Sequence, residues 1–141
     1  MQQFVEFAGN HFLLVAGFVG VALTLLVTEF TRRGQGFKML SPNEAVAFIN
    51  QNGAAIVDVS PAADFNKGHI LNARNIVLSR FKDPDPDVSK LISKPVLVAC
   101  KTGQTAGQAA AALVKQGAEN VAVLRGGMAQ WVSDNFPVTR R

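Results

Sequence analysis

The chain has 141 residues, with 14 Lys and Arg against 10 Asp and Glu, a net charge of +4, and 48% hydrophobic residues. This supports one domain of ordinary size. A single cysteine, Cys100, excludes an internal disulfide framework and fits a reducing compartment. The charge permits contact with nucleic acid, but no base-reading motif and no stripe of alternating basic and aromatic residues supports it. No His/Cys cluster with metal-ligand spacing is present, so neither a metal nor a cofactor is expected.

The N-terminal segment is membrane-like. Phe7 to Thr28 contains no Asp, Glu, Lys or Arg over 22 residues, about 33 Å as a helix and enough for a hydrocarbon core of about 30 Å. A cleaved signal peptide would carry Lys or Arg before the apolar run and a small-x-small site after it; here Glu6 precedes it and TEFTRRGQG follows. A buried core helix would be shorter and less uniformly apolar. A single-span anchor is therefore expected, within a segment 1–31. Arg32, Arg33 and Lys38 lie just beyond it, and only the amino terminus is basic before it. The positive-inside rule then places the C-terminal domain on the cytoplasmic side of an inner (plasma) membrane. Positions 32–141 hold all 14 basic and 8 of the 10 acidic residues, a net +6, which is weakly attracted to an anionic leaflet. Residues 32–37, with Gly34-Gln35-Gly36, read as a linker to a domain at 38–141.

That domain alternates helices and strands. Ser41-Pro42-Asn43-Glu44 carries a cap, a proline at the first helical position and a capping-box glutamate, so a helix starts there and stops at Gly53. AAIVDV (54–59) is a short buried strand. Pro61–Asn66 forms a short helix that ends near Gly68. KDPDPDVSK (82–90) is too rich in Pro and Asp for either element and reads as a surface loop. PVLVAC (95–100) is a second buried strand, Gln104–Gln116 an alanine-rich helix ended by Gly117, and NVAVL (120–124) a third strand. Gly126-Gly127 then turns the chain into a last helix whose Met128 and Trp131 face the core. The alanines between Ala106 and Ala112 form a packing face. Continuous apolar strands between helices predict an α/β fold with a mainly parallel sheet covered on both faces.

In such a sheet, ligands bind beyond the carboxyl ends of the strands, where Cys100 lies. The residues after it lead into a helix N-terminus, where free N–H groups and the helix dipole attract anions and favour a thiolate. Lys101 adds positive charge, Thr102 and Thr105 offer hydroxyls, and Gly103 permits the positive φ of a tight curl. A strand–glycine–helix turn is common, however, and unpaired cysteines are mostly packing residues. On the loop alone, Cys100 is either a core thiol or a nucleophile at the base of an anion cradle.

Other segments bear on that choice. Asp58-Val59, Asp64-Phe65, Gly68-His69-Ile70, Ala73 and Asn75 precede the cysteine loop, and Gly126-Gly127 and Trp131 follow it. In that order they resemble the rhodanese-like family across about residues 38–138. The resemblance implies a three-layer rhodanese-like fold with a central, mainly parallel, five-stranded sheet. One span followed by one such domain is similar to small membrane-anchored bacterial members. The resemblance also implies that Cys100 attacks a sulfane sulfur donor such as thiosulfate, becomes a persulfide, and yields the sulfur to a thiophilic acceptor. The amides from Lys101 through Thr102, Gly103 and Gln104 to Thr105 would bind the donor. His69 and Asp58 would be structural.

The loop departs from the family form Cys-Arg-Ser-Gly-x-Arg. Lys101 replaces the first arginine and Thr105 the last, and Ser60 stands where an arginine often follows Asp-Val. Lysine lacks arginine's bidentate fork and threonine has no charge, so weaker binding of the thiosulfate dianion is expected. A persulfide delivered by a protein or a small thiol suits such a loop. Two other functions compete: a non-catalytic module that binds a membrane or cytoplasmic protein, and a cysteine phosphatase. The phosphatase needs Cys-x5-Arg, and position 106 is Ala.

Overall fold

The computed structural model describes residues 1–83 and 85–140, with Arg32 and Arg33 described by their backbone alone. The chain divides into two compact units, Met1–Gln35 and Gly36–Arg141. The first holds two helices, α1 (Gln2–Asn10) and α2 (Phe12–Gly34), and not the one helix expected over 7–28. The break falls at His11, with φ −126° and ψ 43°. Gly9, Asn10 and His11 are all weak helix formers, and no apolar packing overrides them. The stretch apolar enough to cross a membrane is Phe12–Thr31, 20 residues at a mean hydropathy of 2.2. Because α2 continues through Gly34, only Gln35 and Gly36 separate it from the first strand, fewer than the linker expected at 32–37.

The second unit is built on a five-stranded sheet. Its strands are β1 (Phe37–Leu40), β2 (Ala55–Asp58), β3 (Arg74–Asn75), β4 (Val96–Ala99) and β5 (Val121–Leu124). They lie in the order β1-β5-β4-β2-β3, and all four pairings are parallel. Helices connect them: α3 (Pro42–Asn52), α4 (Ala62–Lys67), α5 (Pro86–Ser89) and α6 (Gln104–Lys115), with α7 (Gly127–Ser133) after β5. The start of α3 is the expected one. Glu44 N donates to Ser41 Oγ, Ser41 N donates to the Glu44 carboxylate, and Gly53 closes the helix in the left-handed region.

The core divides along the period of two in the central strands. Val96, Val98 and Cys100 pack on one face with Ala106, Ala109, Ala110 and Leu113 of α6. Leu97 and Ala99 pack on the other with Ala45 and Phe48 of α3 and Met128 and Trp131 of α7. Every residue of β4 and β5 is buried, each large one contributing about 1.5–3 kcal/mol. The alternation has a direct consequence for the site: Cys100 leaves the sheet on the face that α6 covers. The alanines that meet it there have no exposed surface, so the packing face expected between Ala106 and Ala112 is present.

The stretch 82–90, expected to be a loop throughout, contains α5; Pro84 lies outside the described residues. Asp85 caps this short helix, accepting from Asp87 N and Val88 N, and Pro86 occupies the first helical position. Asp85 also takes a bidentate pair from Arg80, at 2.7 and 2.9 Å, and Asp87 takes a third bond from Arg80 at 2.8 Å. These hydrogen bonds hold both carboxyls below the ordinary aspartate range and raise the Arg80 guanidinium. Val88 and Leu91 are thereby seated in the core beneath the loop.

Candidate active site

Cys100 follows β4, the middle strand of the sheet, and is 2% exposed. The chain leaves the strand, curls through Lys101 and Thr102, and enters α6 at Gly103. Gly103 is the helix cap, at φ 95° and ψ −14°, and no side-chain oxygen caps the helix there. The sulfur takes that place. Gly103 N donates to Cys100 Sγ at 2.9 Å, and Ala106 N, the third amide of the helix, donates at 3.4 Å. An Ncap serine or aspartate would accept from the same third position. Two N–H dipoles and the positive end of α6 therefore converge on Sγ.

The residues expected to bind substrate are brought together. Lys101, Thr102 and Gln104 are exposed around the loop, while Gly103 and Thr105 are half-buried. Gln104 and Thr105 form the first turn of α6, where amides have no intrahelical acceptor. Within residues 100–106, Lys101 is the one charged residue.

Neighbouring strands supply the supports. After β5, Gly126 and Gly127 adopt φ 74° and 62°. Met128 N then donates to Cys100 O at 2.7 Å and Ala129 N to Lys101 O at 3.0 Å. The N-terminus of α7 thus takes the loop's carbonyls, leaving its amides to turn the other way. A Cβ on Gly127 would overlap the Cys100 carbonyl oxygen and lie 2.7 Å from both the carbonyl carbon and oxygen of Lys101. A Cβ on Gly103 would meet Gly126 N and Leu124 O at 3.4 Å. On the other side, buried Asp58 accepts from Ser60 N at 2.9 Å, and Asn75 Nδ2 donates to the carbonyls of Asp58 and Ser60 at 3.0 and 2.8 Å. The end of β2 is fixed by these bonds.

Three participants were not legible as such. Ala106 reads as a packing residue, yet its amide reaches the sulfur. Gly127 reads as a turn and is also the floor of the cysteine loop. Asn75 reads as a family marker and is the clamp on β2. Two adjacent glycines after a buried strand were the one signal of a close backbone approach. His69 is buried, its ring stacked on Phe65 at 3.6 Å, with Nδ1 2.8 Å from the Phe65 carbonyl and so the donor. Its backbone pairs with Thr139, a structural setting as expected.

A loop of backbone amides around a thiol, at the carboxyl end of a central parallel strand, defines a class of protein. The model for the rhodanese-like domain matches residues 41–134, and the chain belongs to that family. It is 33% identical over 141 residues to the uncharacterized protein YibN of Escherichia coli K12, covering 99% of both chains. It is 36% identical over 95 residues to the thiosulfate sulfurtransferase GlpE of Pseudomonas putida GB-1, covering 67% of this chain and 84% of that one. A rhodanese-related protein of Thermoplasma volcanium superposes with a TM-score of 0.64 at 22% identity, over 74% of this chain and 99% of that one.

The Gly126-Gly127 support is tested by a pair of substitutions. Gly127→Ala combines positive-φ strain of about 1–2 kcal/mol with an overlap of about 1–3 kcal/mol. Thermal unfolding of the purified chain is expected to move down by about 10 °C or more. Gly107→Ala, at a helix position with nothing within 4 Å, is expected to be neutral or to stabilise by up to about 1 kcal/mol. An unchanged midpoint for Gly127→Ala would remove this glycine from the account of the loop.

Proposed function

We propose that this chain is a sulfurtransferase or persulfide carrier tethered to a bacterial inner membrane, with Cys100 as the atom that accepts and passes on sulfane sulfur. The observation that carries the reading is the pair of amides on Cys100 Sγ. A thiolate held there attacks the outer sulfur of thiosulfate. The new S–S bond forms as the bond to the sulfonate sulfur breaks, and its electron pair leaves with sulfite. The persulfide anion keeps the negative charge that the loop is built to hold. In the second half, cyanide or an acceptor thiolate attacks the terminal sulfur, and the electron pair of the S–S bond returns to Sγ. Two easier displacements replace one difficult transfer. The donor's charge rests on the free amides of Gln104 and Thr105 and on Lys101, with Thr102 and Gly103 completing the rim.

A second reading has its own support. Cys100 is nearly without exposed surface, and Thr105 stands where family members commonly carry arginine. On that reading the domain is a non-catalytic module for a membrane or cytoplasmic protein. Intact-mass analysis after incubation with thiosulfate, or with a low-molecular-weight persulfide, separates the two. A gain of one sulfur, absent in Cys100→Ser and lost on adding cyanide, is expected. A mass unchanged by every donor would favour the binding module.

The missing clamp gives a further expectation. Thr105→Arg places a charged donor beside the loop; at about 1.5–3 kcal/mol for a charge-assisted bond, thiosulfate turnover should rise by roughly ten- to a hundredfold. Equal or lower turnover would refute missing charge as the limit on the site.

For the tether, Phe12–Thr31 is read as the span and the domain as cytoplasmic, supported by the basic residues that follow it. Protease added to intact spheroplasts is expected to spare the domain and to digest it after lysis. Digestion from outside would reverse the orientation.

A further inference from the structure

The fold and the site leave α1 without a role. None of its residues is buried, and Phe4, Val5 and Phe7 are exposed. At about 100° per residue, its residues separate into two faces. Phe7, Phe4, Ala8 and Val5 occupy one arc, and Gly9, Gln2, Glu6, Asn10 and Gln3 occupy the other, with no exchange between them. Such segregation over a short helix is the pattern of a surface that is half in water and half out of it.

The position of α1 says what covers the apolar half. It ends one residue before α2, at the non-helical His11. A single helix over Gln2–Gly34 would be about 50 Å long, well beyond the hydrocarbon core of about 30 Å, whereas Phe12–Thr31 alone is about 30 Å. The break therefore falls where the span reaches the membrane boundary. We propose that α1 is an interfacial helix: its Phe4–Phe7 face lies in the headgroup–acyl boundary beside the start of the span, and its Glu6 face lies in water. This rests on reading α2 as a membrane span.

The helix differs from common interfacial helices in the chemistry of its polar face. Those carry Lys or Arg and are drawn to anionic lipid. Here that face holds Gln2, Gln3, Asn10 and the acidic Glu6. Attachment must come from the two phenylalanine rings and from the tether, which keeps α1 at the surface at high effective concentration. Its occupant is thus the lipid boundary itself, whatever the headgroup charge. The ring of His11, 4.8 Å from that of Phe7, suits the same boundary, with an apolar body and a polar edge.

The test uses the full chain carrying Cys100→Ser, reconstituted alone into phosphatidylcholine vesicles with or without phosphatidylglycerol. Ala8→Cys, on the apolar arc but carrying no ring, Glu6→Cys and Val19→Cys each carry one environment-sensitive fluorophore. At position 8, quenching by lipids brominated near the headgroup is expected, equally in both vesicles. Position 6 should be quenched by aqueous iodide and position 19 by lipids brominated near the chain end. If position 19 is deep while position 8 is as open to iodide as position 6, the interfacial helix is overturned and the anchor stands; the face would then await a protein. Position 8 as deep as position 19, or shallow only when phosphatidylglycerol is present, also overturns it. Iodide access at position 19 overturns the anchor, and the inference with it.

Discussion

The sulfur of Cys100 is the cap of a helix. α6 begins at a glycine with no side chain to satisfy its first amides, so Gly103 N and Ala106 N turn to Sγ instead. The need of the helix for an acceptor is met by a thiol and not by an oxygen. The register of β4 places Cys100 on the face that α6 covers, and a one-residue slip would send the thiol to the opposite face. The buried apolar runs of β2, β4 and β5 set that register before any residue of the loop is considered.

Close approach is the second condition, and small residues meet it. Ala106, Ala109 and Ala110 let α6 lie directly on the sheet. Gly127 lets α7 come under the loop from the next strand, where two of its N-terminal amides hold the carbonyls of Cys100 and Lys101. One helix N-terminus therefore faces the thiol and a second faces the back of the loop. Because a peptide group's N–H and C=O point in opposite directions, securing the carbonyls on one side orients amides to the other.

Much of this was legible as pattern. The three central strands were visible because each is a continuous apolar run, and the capping box of α3 marked its own start. The edge strands β1 and β3 were not visible: FKML carries Lys38, RN is two polar residues long, and edges need no apolar run. The helix at 86–89 was hidden because the prolines of the sequence KDPDPDVSK read as breakers. Asp85-Pro86 is in fact the same cap-and-proline opening as Ser41-Pro42. The break at His11 was masked by the absence of charge around it. At the site, the loop residues and Cys100 could be placed from order and spacing. Which amides meet the sulfur, and which glycine lies against which carbonyl, depends on distances between strands that are remote in the chain.

The pairing of β1 with β5 has a topological meaning. Phe37 sits opposite Val121, and Leu40 opposite Leu124, so the first strand of the domain joins the last strand of the sheet and closes a loop around nearly the whole domain. Arg125 N reinforces the join by donating to Leu40 O at 2.7 Å. Among the described residues β1 pairs with β5 alone, so it has no strand neighbour until the chain has been made through β5. The contact that completes the sheet is thus its most non-local, and ordering by sequence distance puts it last. A chain cut short before residue 121 would lose the floor of the cysteine loop and, in the same event, the strand to which β1 is bonded.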